Sequence, residues 1–297
     1  MENLKEKENK IEKSNVKDNQ TENNNKKQFT ILGFSIWEII IYFIIYSIIG
    51  FIIETTFGLI TKGVIESRKN FLYGPFCCIY GVGGLVAIVG LQKFKKNNYT
   101  IFLGGAIIGS VVEYFISLIG EFIFHIKWWD YSNLPFNING RICIAFSVLW
   151  GFLAIFFVRN LHPHVEKFVN KFSKKTIKII AIFGIIFLSI NLTITSLALE
   201  VFFARLVKDY DLELKDMDNY IVRIGDLYNN PKIKEISDKI FTNEKMLKTF
   251  PNIKVTNKDG EIIYVREILK DIKPYYFRVF TPRLKVDETG NLVRVEN

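Results

Sequence analysis

Long apolar stretches alternate with short polar segments through the middle of the chain. Five of these stretches reach the about 17–25 apolar residues that are needed to cross a hydrocarbon core. They are Ile36–Ile60, Phe71–Leu91, Tyr99–Phe124, Ile142–Val158 and Ile179–Leu199. Because every backbone polar group must be hydrogen-bonded within lipid, runs this long and uniform predict helices and not barrel strands. The pattern therefore predicts an all-α polytopic membrane protein, a bundle of about five transmembrane helices.

The second stretch differs from the others in its content of helix breakers. Its segment GPFCCIYGVGG (Gly74–Gly84) contains a proline and several glycines, which an ordinary spanning helix would avoid. Two interpretations stay open: the stretch spans as a helix, or it is a broken or re-entrant element packed inside the bundle.

Polar segments flank the apolar middle. Residues 1–29 consist mainly of Asn, Lys and Glu, and too little apolar surface is present to offset the entropy of ordering them, so we expect a disordered tail. Residues 30–203 form the expected transmembrane bundle. Residues 204–297 have an ordinary soluble composition, with Asp259-Gly260 as a turn before the β-prone Ile262–Val265. We expect this small soluble C-terminal region to be separable and to take no part in the functional site.

Charge supports a membrane protein over a nucleic-acid binder. The formal net charge is +9, yet residues 204–297 contain 18 Lys/Arg against 16 Asp/Glu, and the remaining excess lies mostly between apolar stretches. A nucleic-acid binder would concentrate its basic residues on one surface. The partners that we predict are the lipid bilayer, a separate ATPase subunit and a second copy of the chain in a homo-oligomer, and no nucleic acid.

The basic residues also predict an orientation. With a cytoplasmic N-terminus, the inner side has 12 Lys/Arg in its two loops and the adjoining part of the tail, and the two outer loops have 5. The inner set includes Lys93, Lys95 and Lys96 of the first inner loop and Lys17, Lys26 and Lys27 of the tail. The positive-inside rule favours this arrangement, and five crossings then place the C-terminal region outside. We expect a multi-pass protein of the cell membrane. If Phe71–Leu91 re-enters instead of crossing, everything after it lies on the opposite side of the membrane.

Several stretches have small or polar residues at helical spacing, which should face the bundle interior. These stripes are Ser47/Gly50/Glu54/Gly58, Ser110/Glu113/Ser117/Glu121, Ser147/Gly151/Ala154 and Ser189/Thr193/Ser196/Glu200. Packing of helices through small residues explains the Ser, Gly and Ala positions without any function.

The glutamates are harder to explain by packing. An ionised side chain near the bilayer centre costs about 2.5–3.5 kcal/mol even on lenient scales. We expect Glu54, Glu113 and Glu121 to form a coupled group with Arg141 as counter-charge, which binds a cation or a positively charged or hydrogen-bonding solute. The alternative is that they form structural ion pairs or reach the interface. The candidate substrate-binding residues are Glu54, Glu113, Glu121, Asp130, Arg141, Tyr80 and Trp129.

The connection WWDYSNLPFNINGR (Trp128–Arg141) follows the third stretch. Its two tryptophans and Tyr131 are typical of a membrane interface, and its Asn, Pro and Gly residues favour turns. It is either an interfacial anchor or a loop that contacts a ligand.

Motifs for catalysis and cofactor binding do not occur in the sequence. G-x-x-x-x-G-K-[ST], G-x-S-x-G and H-E-x-x-H are all missing, and the three cysteines and three histidines are not spaced as metal ligands. We therefore expect no metal, no cofactor and no enzyme activity of this chain. Any ATP hydrolysis would occur on a separate subunit.

Four segments carry a resemblance to a known family. They are YSIIGFIIE (Tyr46–Glu54), FLYGPFCCIYGVGG (Phe71–Gly84), EYFISLIGEFIF (Glu113–Phe124) and KWWDYSNLPFNINGRI (Lys127–Ile142). In order and spacing they resemble the bacterial ABC transporter permease family that is called CmpB-like or type IV. The resemblance implies a permease but specifies no substrate. The glutamates and the WWDYS…NGR segment are the positions that match the family's motifs.

Three classes of function stay open. We favour an integral membrane permease-like transport component for a small solute or ion, with an ATPase docking on the inner loop Asn160–Thr176. The second is a non-transporting sensor, scaffold or regulator that acts through its soluble region. The third is an intramembrane enzyme, for which the sequence offers paired carboxylates but no nucleophile, base or metal set.

Overall fold

The computed structural model describes the chain in eight stretches, which are residues 30–31, 33–91, 97–124, 126–214, 229–273, 276–282, 284–286 and 292–294. The expected disordered tail lies outside the described residues. So do most of the connection at 211–228 and the loop residues Lys93, Lys95 and Lys96 that entered the orientation argument.

The bundle is built from six α-helices. They are α1 (Ile36–Lys62), α2 (Cys78–Gly90), α3 (Asn98–Phe124), α4 (Ile144–Phe156), α5 (His162–Val169) and α6 (Lys174–Tyr210). A π-helical turn at Phe157–Leu161 joins α4 to α5. Four helical segments in the described residues are long and apolar enough to cross a membrane: α1, α3, the path from α4 through α5, and α6. The predicted fold class, an all-α multi-pass membrane protein, is confirmed.

Local signals in the sequence explain where the first helix begins and ends. The Ser35 hydroxyl accepts a hydrogen bond from the Glu38 N–H at 3.3 Å, and the Glu38 carboxylate accepts one from the Ser35 N–H at 2.8 Å. This reciprocal pair satisfies two backbone donors that would otherwise lack partners at a helix start. The helix ends at Gly63, whose φ of +67° suits glycine. Glu38 is therefore a capping residue and not an interior charge.

The second apolar stretch crosses the bundle as an irregular half followed by a helical half. The Cys77 N–H, just before α2, donates to the Ser47 carbonyl near the middle of α1 at 2.9 Å. At the far end of α2, Ile88 lies in one apolar cluster with Ile41 from the first turns of α1. Residues 70–77 and α2 thus run antiparallel along α1 from its end to its beginning. The broken element is the correct interpretation, and it does not return to the side that it entered from.

Helix α6 supplies the polar partners for the irregular half. The Asn191 amide accepts from the Tyr73 N–H at 3.2 Å and donates to the Tyr73 carbonyl at 2.6 Å. The Thr195 hydroxyl accepts from the Leu72 N–H at 2.9 Å. Backbone groups without a helical partner must find one inside the protein at membrane depth. These two side chains therefore help the irregular backbone to lie within the bundle.

The prediction of which α6 face turns inward was wrong. Ser189 and Thr193 are exposed, and the Thr193 hydroxyl bonds only to the Ser189 carbonyl of its own helix. Asn191 and Thr195 are each 1% exposed. The inner face is polar because its neighbour is irregular backbone that needs donors and acceptors. The small-residue stripes of α1, α3 and α4 do face inward, where Ser47, Gly58, Glu113, Ser117 and Gly151 are buried.

Short helices and strand pairs make up the rest of the fold. The helices are α7 (Pro231–Ile240), α8 (Asn243–Thr249) and α9 (Val265–Ile268). The strands are β1 (Thr30–Ile31), β2 (Phe34–Ser35), β3 (Val64–Ile65), β4 (Lys254–Thr256), β5 (Ile262–Tyr264), β6 (Phe277–Arg278), β7 (Leu284–Val286) and β8 (Leu292–Arg294). The antiparallel pairs are β1–β2, β3–β6, β4–β5 and β7–β8. The predicted strand at Ile262 is present, after a turn in which Gly260 has φ +83°.

The C-terminal region shares its core with the end of α6. One apolar cluster combines Phe202 and Leu206 of α6 with Met246, Phe250 and Val265 of the C-terminal region. The pairing of β3 with β6 adds a second attachment, directly after α1. The expected domain boundary at residue 204 therefore lies within a helix and within a shared core.

Candidate solute site

A cavity of about 630 Å³ lies at the end of the bundle where α1 and α3 end and α4 begins. We call this the Arg141 end, and the other end, where α5 lies, the His162 end. The four helices α1 to α4 supply the deep part of the cavity wall, the segment 67–70 and the loop 128–131 supply the upper part, and residues 250–254 with Tyr264 cover it. The volume is within the range of about 300–1,000 Å³ that is usual for small-molecule sites.

Glu54 projects from α1 into this cavity. It accepts a hydrogen bond of 2.9 Å from the Tyr80 hydroxyl of α2. Among the described residues it has no ion pair and no second hydrogen-bond donor. Its carboxylate retains capacity for a ligand, since an ionised carboxylate offers about four acceptor positions.

Glu113 lies deeper, in the middle of α3, and is only 3% exposed. One of its oxygens accepts from the Tyr131 hydroxyl at 2.9 Å and the other accepts from the Trp150 indole N–H at 2.9 Å. It too has no basic partner in the part of the chain that the structure describes. Two ring donors thus hold this buried carboxylate in place, one from the 128–141 loop and one from α4.

Glu121 is separate from the other two glutamates. Arg141 pairs with it at 2.5 Å and donates to the Ser117 hydroxyl at 3.0 Å. Neither Glu121 nor Arg141 lines the cavity. The expectation that Arg141 is the counter-charge of one coupled group of three glutamates is therefore wrong. The helical spacing placed Glu54 on the inward face of α1 and the other two glutamates on that of α3, but the Arg141 guanidinium bonds to Ser117 and Glu121 near the end of α3.

The connection after α3 folds back and forms part of the cavity wall. The Trp129 indole donates to the Arg141 carbonyl at 2.9 Å, which ties the two ends of the loop together. Asp130, which also lines the cavity, accepts from the Ser132 hydroxyl at 2.7 Å. Gly140 has φ +64°, and a methyl group there would lie 2.5 Å from an Asp130 oxygen, so only glycine fits. Of the two interpretations, the loop that can contact a ligand agrees with this placement.

Tyr131 joins this loop to the bundle interior. Burial raises the pKa of its phenol, and the nearby carboxylate of Glu113 raises it further. The hydroxyl therefore stays protonated and remains a donor. Its ring stacks on Phe146 of α4 with centroids 4.6 Å apart, which fixes the direction of the hydroxyl.

Basic side chains lie at the mouth of the cavity. Glu66, 8% exposed, accepts from Lys62 at 3.2 Å, from Arg68 at 2.7 Å and from the Asn252 amide at 3.0 Å. Burial alone would raise the pKa of the Glu66 carboxyl, but the charges of Lys62 and Arg68 and the Asn252 hydrogen bond hold it below its usual value. Lys69 and Lys254 lie on the same wall.

Two glycines allow the aromatic rings to pack closely below the cavity. A methyl group on Gly50 would lie 2.3 Å from the Tyr80 Cβ, and one on Gly109 would lie 2.5 Å from the Trp150 Cβ. The two rings touch, with centroids 5.5 Å apart. Beneath them is a smaller apolar cavity of about 80 Å³, which also borders Tyr80 and Trp150. The ring pair therefore separates the two cavities.

The structure brings together five of the seven candidate residues on one wall: Glu54, Tyr80, Glu113, Trp129 and Asp130. Sequence reasoning missed Tyr131 and Trp150, whose polar atoms were hidden in aromatic side chains of apolar or interfacial segments. It also missed the C-terminal contribution around Asn252, for which no sequence signal exists. The expectation that the C-terminal region takes no part in the site does not agree with this cavity.

Metal and histidine chemistry find no support in the described residues. No group of three or more His, Cys, Asp and Glu side chains there could hold a metal ion. His162 lies at the opposite end of the bundle, where its ring nitrogen is 2.8 Å from the Tyr46 hydroxyl.

A family model matches residues 41–196, more than half of the chain. Its description is "Putative ABC-transporter type IV", and the chain belongs to this CmpB-type family. The match agrees with the resemblance seen in the sequence blocks. It includes every helix that lines the cavity but not the C-terminal cover. Neither a curated protein nor a solved structure matches the chain.

Proposed function

We propose that the protein is the membrane-embedded component of an ABC-type transporter, and that it receives a small solute in the cavity at the Arg141 end. The observation that carries the proposal is the pair Glu54 and Glu113, two carboxylates on a cavity wall with no basic partner among the described residues. Ionisable side chains at membrane depth are costly, and they are rare there unless they have a partner or a function. The hydrolysis of ATP would take place on a separate chain, and the membrane would be the bacterial cell membrane.

The C-terminal region is part of this proposal as a cover. Phe250, Asn252 and Tyr264 border the cavity from outside the helical bundle. With the cytoplasmic N-terminus that loop charge predicts, the cavity opens on the outer side. A solute would enter under this cover and then meet the ring pair of Tyr80 and Trp150, which lies between it and the deeper cavity.

The His162 end offers a docking surface for the ATPase. Helix α5 buries His162 and Val165, while its Phe168 is 52% exposed and Phe172 of the following turn is 41% exposed. The two rings pack edge to face, with centroids 5.3 Å apart. A short helix that presents aromatic side chains beside lysines could fit the surface of a cytoplasmic subunit, as expected for the loop Asn160–Thr176.

Purification of the intact protein in mild detergent tests the proposal. We expect an ATP-hydrolysing subunit with a P-loop motif to co-purify, and the Phe168→Ser variant to lose about tenfold or more of it, as a central aromatic contact does in many interfaces. The matched control is Phe136→Ser, because Phe136 is 82% exposed at the opposite end. If no ATPase co-purifies with the wild-type protein, the proposal fails.

A sensor or regulator is the second candidate. The shared core of α6 and the C-terminal region favours it, because binding in the cavity could move a covering region that contacts another protein. Such a protein would bind its solute without any ATPase. Co-purification of the ATPase therefore separates the two candidates.

A further inference from the structure

The charges around the cavity are separated along its depth. The deep wall has the carboxylates of Glu54 and Glu113, whereas the mouth has Arg68, Lys69 and Lys254. Asp130 is an acidic side chain at the mouth, and its carboxylate already accepts a hydrogen bond from the Ser132 hydroxyl. A ligand that is wholly cationic or wholly anionic would match one level and be repelled at the other.

The separation between the two levels is about one helical turn. Glu54 and Gly58 are four residues apart on α1, which corresponds to about 6 Å of rise. A methyl group on Gly58 would lie 2.8 Å from a terminal nitrogen of Arg68, so the guanidinium lies directly against that turn. A positive group beside Glu54 and a negative group beside Arg68 would thus be close enough to belong to one small molecule.

The cations at the mouth retain unused donors. The Nε of Arg68 is buried without a hydrogen-bond partner, although one terminal nitrogen of this side chain pairs with Glu66. Lys69 has no ion pair within the described part of the chain. The Lys69 ammonium, which lines the cavity, is therefore available to an anionic ligand group.

The deep wall is suited to an organic ammonium group. Tyr80 and Trp150 border the cavity beside the carboxylates, and the faces of such rings attract alkylammonium groups. The cover already shows this contact, since the Lys254 ammonium lies 4.7 Å from the centre of the Tyr264 ring. Two carboxylates among aromatic rings do not provide the oxygen ligands that a hard metal cation requires.

We propose that the cavity binds a small zwitterion, with its ammonium group beside Glu54, Tyr80 and Trp150 and its anionic group beside Arg68 and Lys69. The inference rests on the proposed function and adds the chemical class of the solute. Its source is either a free solute or the zwitterionic headgroup of a lipid, because both present the same two charges.

Isothermal titration of the full-length protein in phosphatidylglycerol nanodiscs tests this inference with three probes. Phosphocholine has both charges, choline lacks the phosphate, and 3,3-dimethylbutyl phosphate replaces the ammonium nitrogen by carbon. We expect phosphocholine to bind about tenfold or more tightly than either of the others, because each partial probe loses one charged contact. Equal affinity for phosphocholine and one partial probe, or no binding of phosphocholine, would overturn the inference.

Variants assign the two ends of the ligand. Glu54→Gln should remove the preference for phosphocholine over 3,3-dimethylbutyl phosphate, and Lys69→Gln should reduce its preference over choline. Ser147→Ala is the control, since Ser147 pairs with Ser110 at 2.7 Å away from the cavity wall. Unchanged preferences in both Gln variants would contradict the assignment.

A further arm distinguishes the source of the ligand. In phosphatidylcholine nanodiscs, a site for lipid headgroups would be occupied, and added phosphocholine would no longer bind. A site for a free solute would bind it equally in both lipids. The ATPase co-purification does not depend on any of these probes, so a failure of the zwitterion inference and a failure of the transporter proposal give different results.

Discussion

The Tyr131 hydroxyl donates a 2.9 Å hydrogen bond to Glu113, and so connects a loop outside the helices to a buried carboxylate in the middle of α3. The same loop is closed on itself by Trp129 and Arg141. The position of the loop and the position of the carboxylate are therefore set together.

Removing this hydroxyl tests the connection. Tyr131→Phe leaves Glu113 with one donor, and we expect a loss of about 1–3 kcal/mol in the free energy of unfolding because a buried acceptor loses its partner. Thermal unfolding in detergent measures the change. Tyr99→Phe is the control, since Tyr99 is 67% exposed on α3, the helix that carries Glu113. Equal effects of the two variants would contradict the structural importance of the bond.

The glycines beneath the rings give a second prediction. Gly50→Ala should destabilise the protein by about 1–3 kcal/mol, because the added methyl group would overlap Tyr80 and force a shift of α2. Gly83→Ala on α2 is the matched control, with its nearest neighbour at 3.9 Å. We expect it to be neutral or slightly stabilising, as alanine favours a helix over glycine. The pair would be measured by thermal unfolding, and a more harmful Gly83→Ala would contradict the packing.

Substitutions at two threonines of α6 test which face of this helix turns inward. Thr195→Val removes the acceptor of the Leu72 N–H, with an expected cost of about 1–3 kcal/mol. Thr193→Val removes an exposed hydroxyl that bonds only within its own helix, and should change stability by less than about 0.5 kcal/mol. Unfolding curves of both variants decide the matter. A larger loss of stability in Thr193→Val than in Thr195→Val would instead support the predicted stripe with Thr193 on the inner face.

The pH dependence of stability follows from Glu66. Its pKa is held below the ordinary value of 4.5 in the folded protein, so its contribution is complete above that value and is lost as the pH falls through the folded pKa. Wild-type stability should therefore fall below about pH 4.5, and Glu66→Gln should weaken that fall. Glu213→Gln is the control, because Glu213 forms only an exposed pair with Lys258 at 3.4 Å. An unchanged acid profile in Glu66→Gln would exclude Glu66 as the cause.

Orientation in the membrane remains a prediction from loop charge. Cysteine introduced at Asn133 should react with a membrane-impermeant reagent from outside, and cysteine at Lys171 should react only after the membrane is opened. Both positions are exposed in the structure. The opposite pattern of labelling would reverse the orientation and place the cavity on the cytoplasmic side.

The sequence by itself determined that this is a multi-pass helical membrane protein of the CmpB-type family. Apolar runs of sufficient length permit few other structures in lipid, and the motif blocks identify the family. It also placed Glu54 and Glu113 among the candidates, since polar side chains on small-residue faces must turn away from lipid. These inferences depend on local composition and helical period, which can be read along the chain.

Tertiary structure decided the rest. Only the folded chain shows that Arg141 pairs with Glu121, while Glu54 and Glu113 have no basic partner in the part of the chain that the structure describes. The reach of a side chain across helices cannot be read from spacing. Only the contacts with residues 70–77 explain why Asn191 faces inward, since an irregular backbone must be satisfied by whichever helix lies beside it. The cover at Asn252 depends on contacts between residues 186 positions apart, such as its bond to Glu66, and no local pattern predicts such a contact.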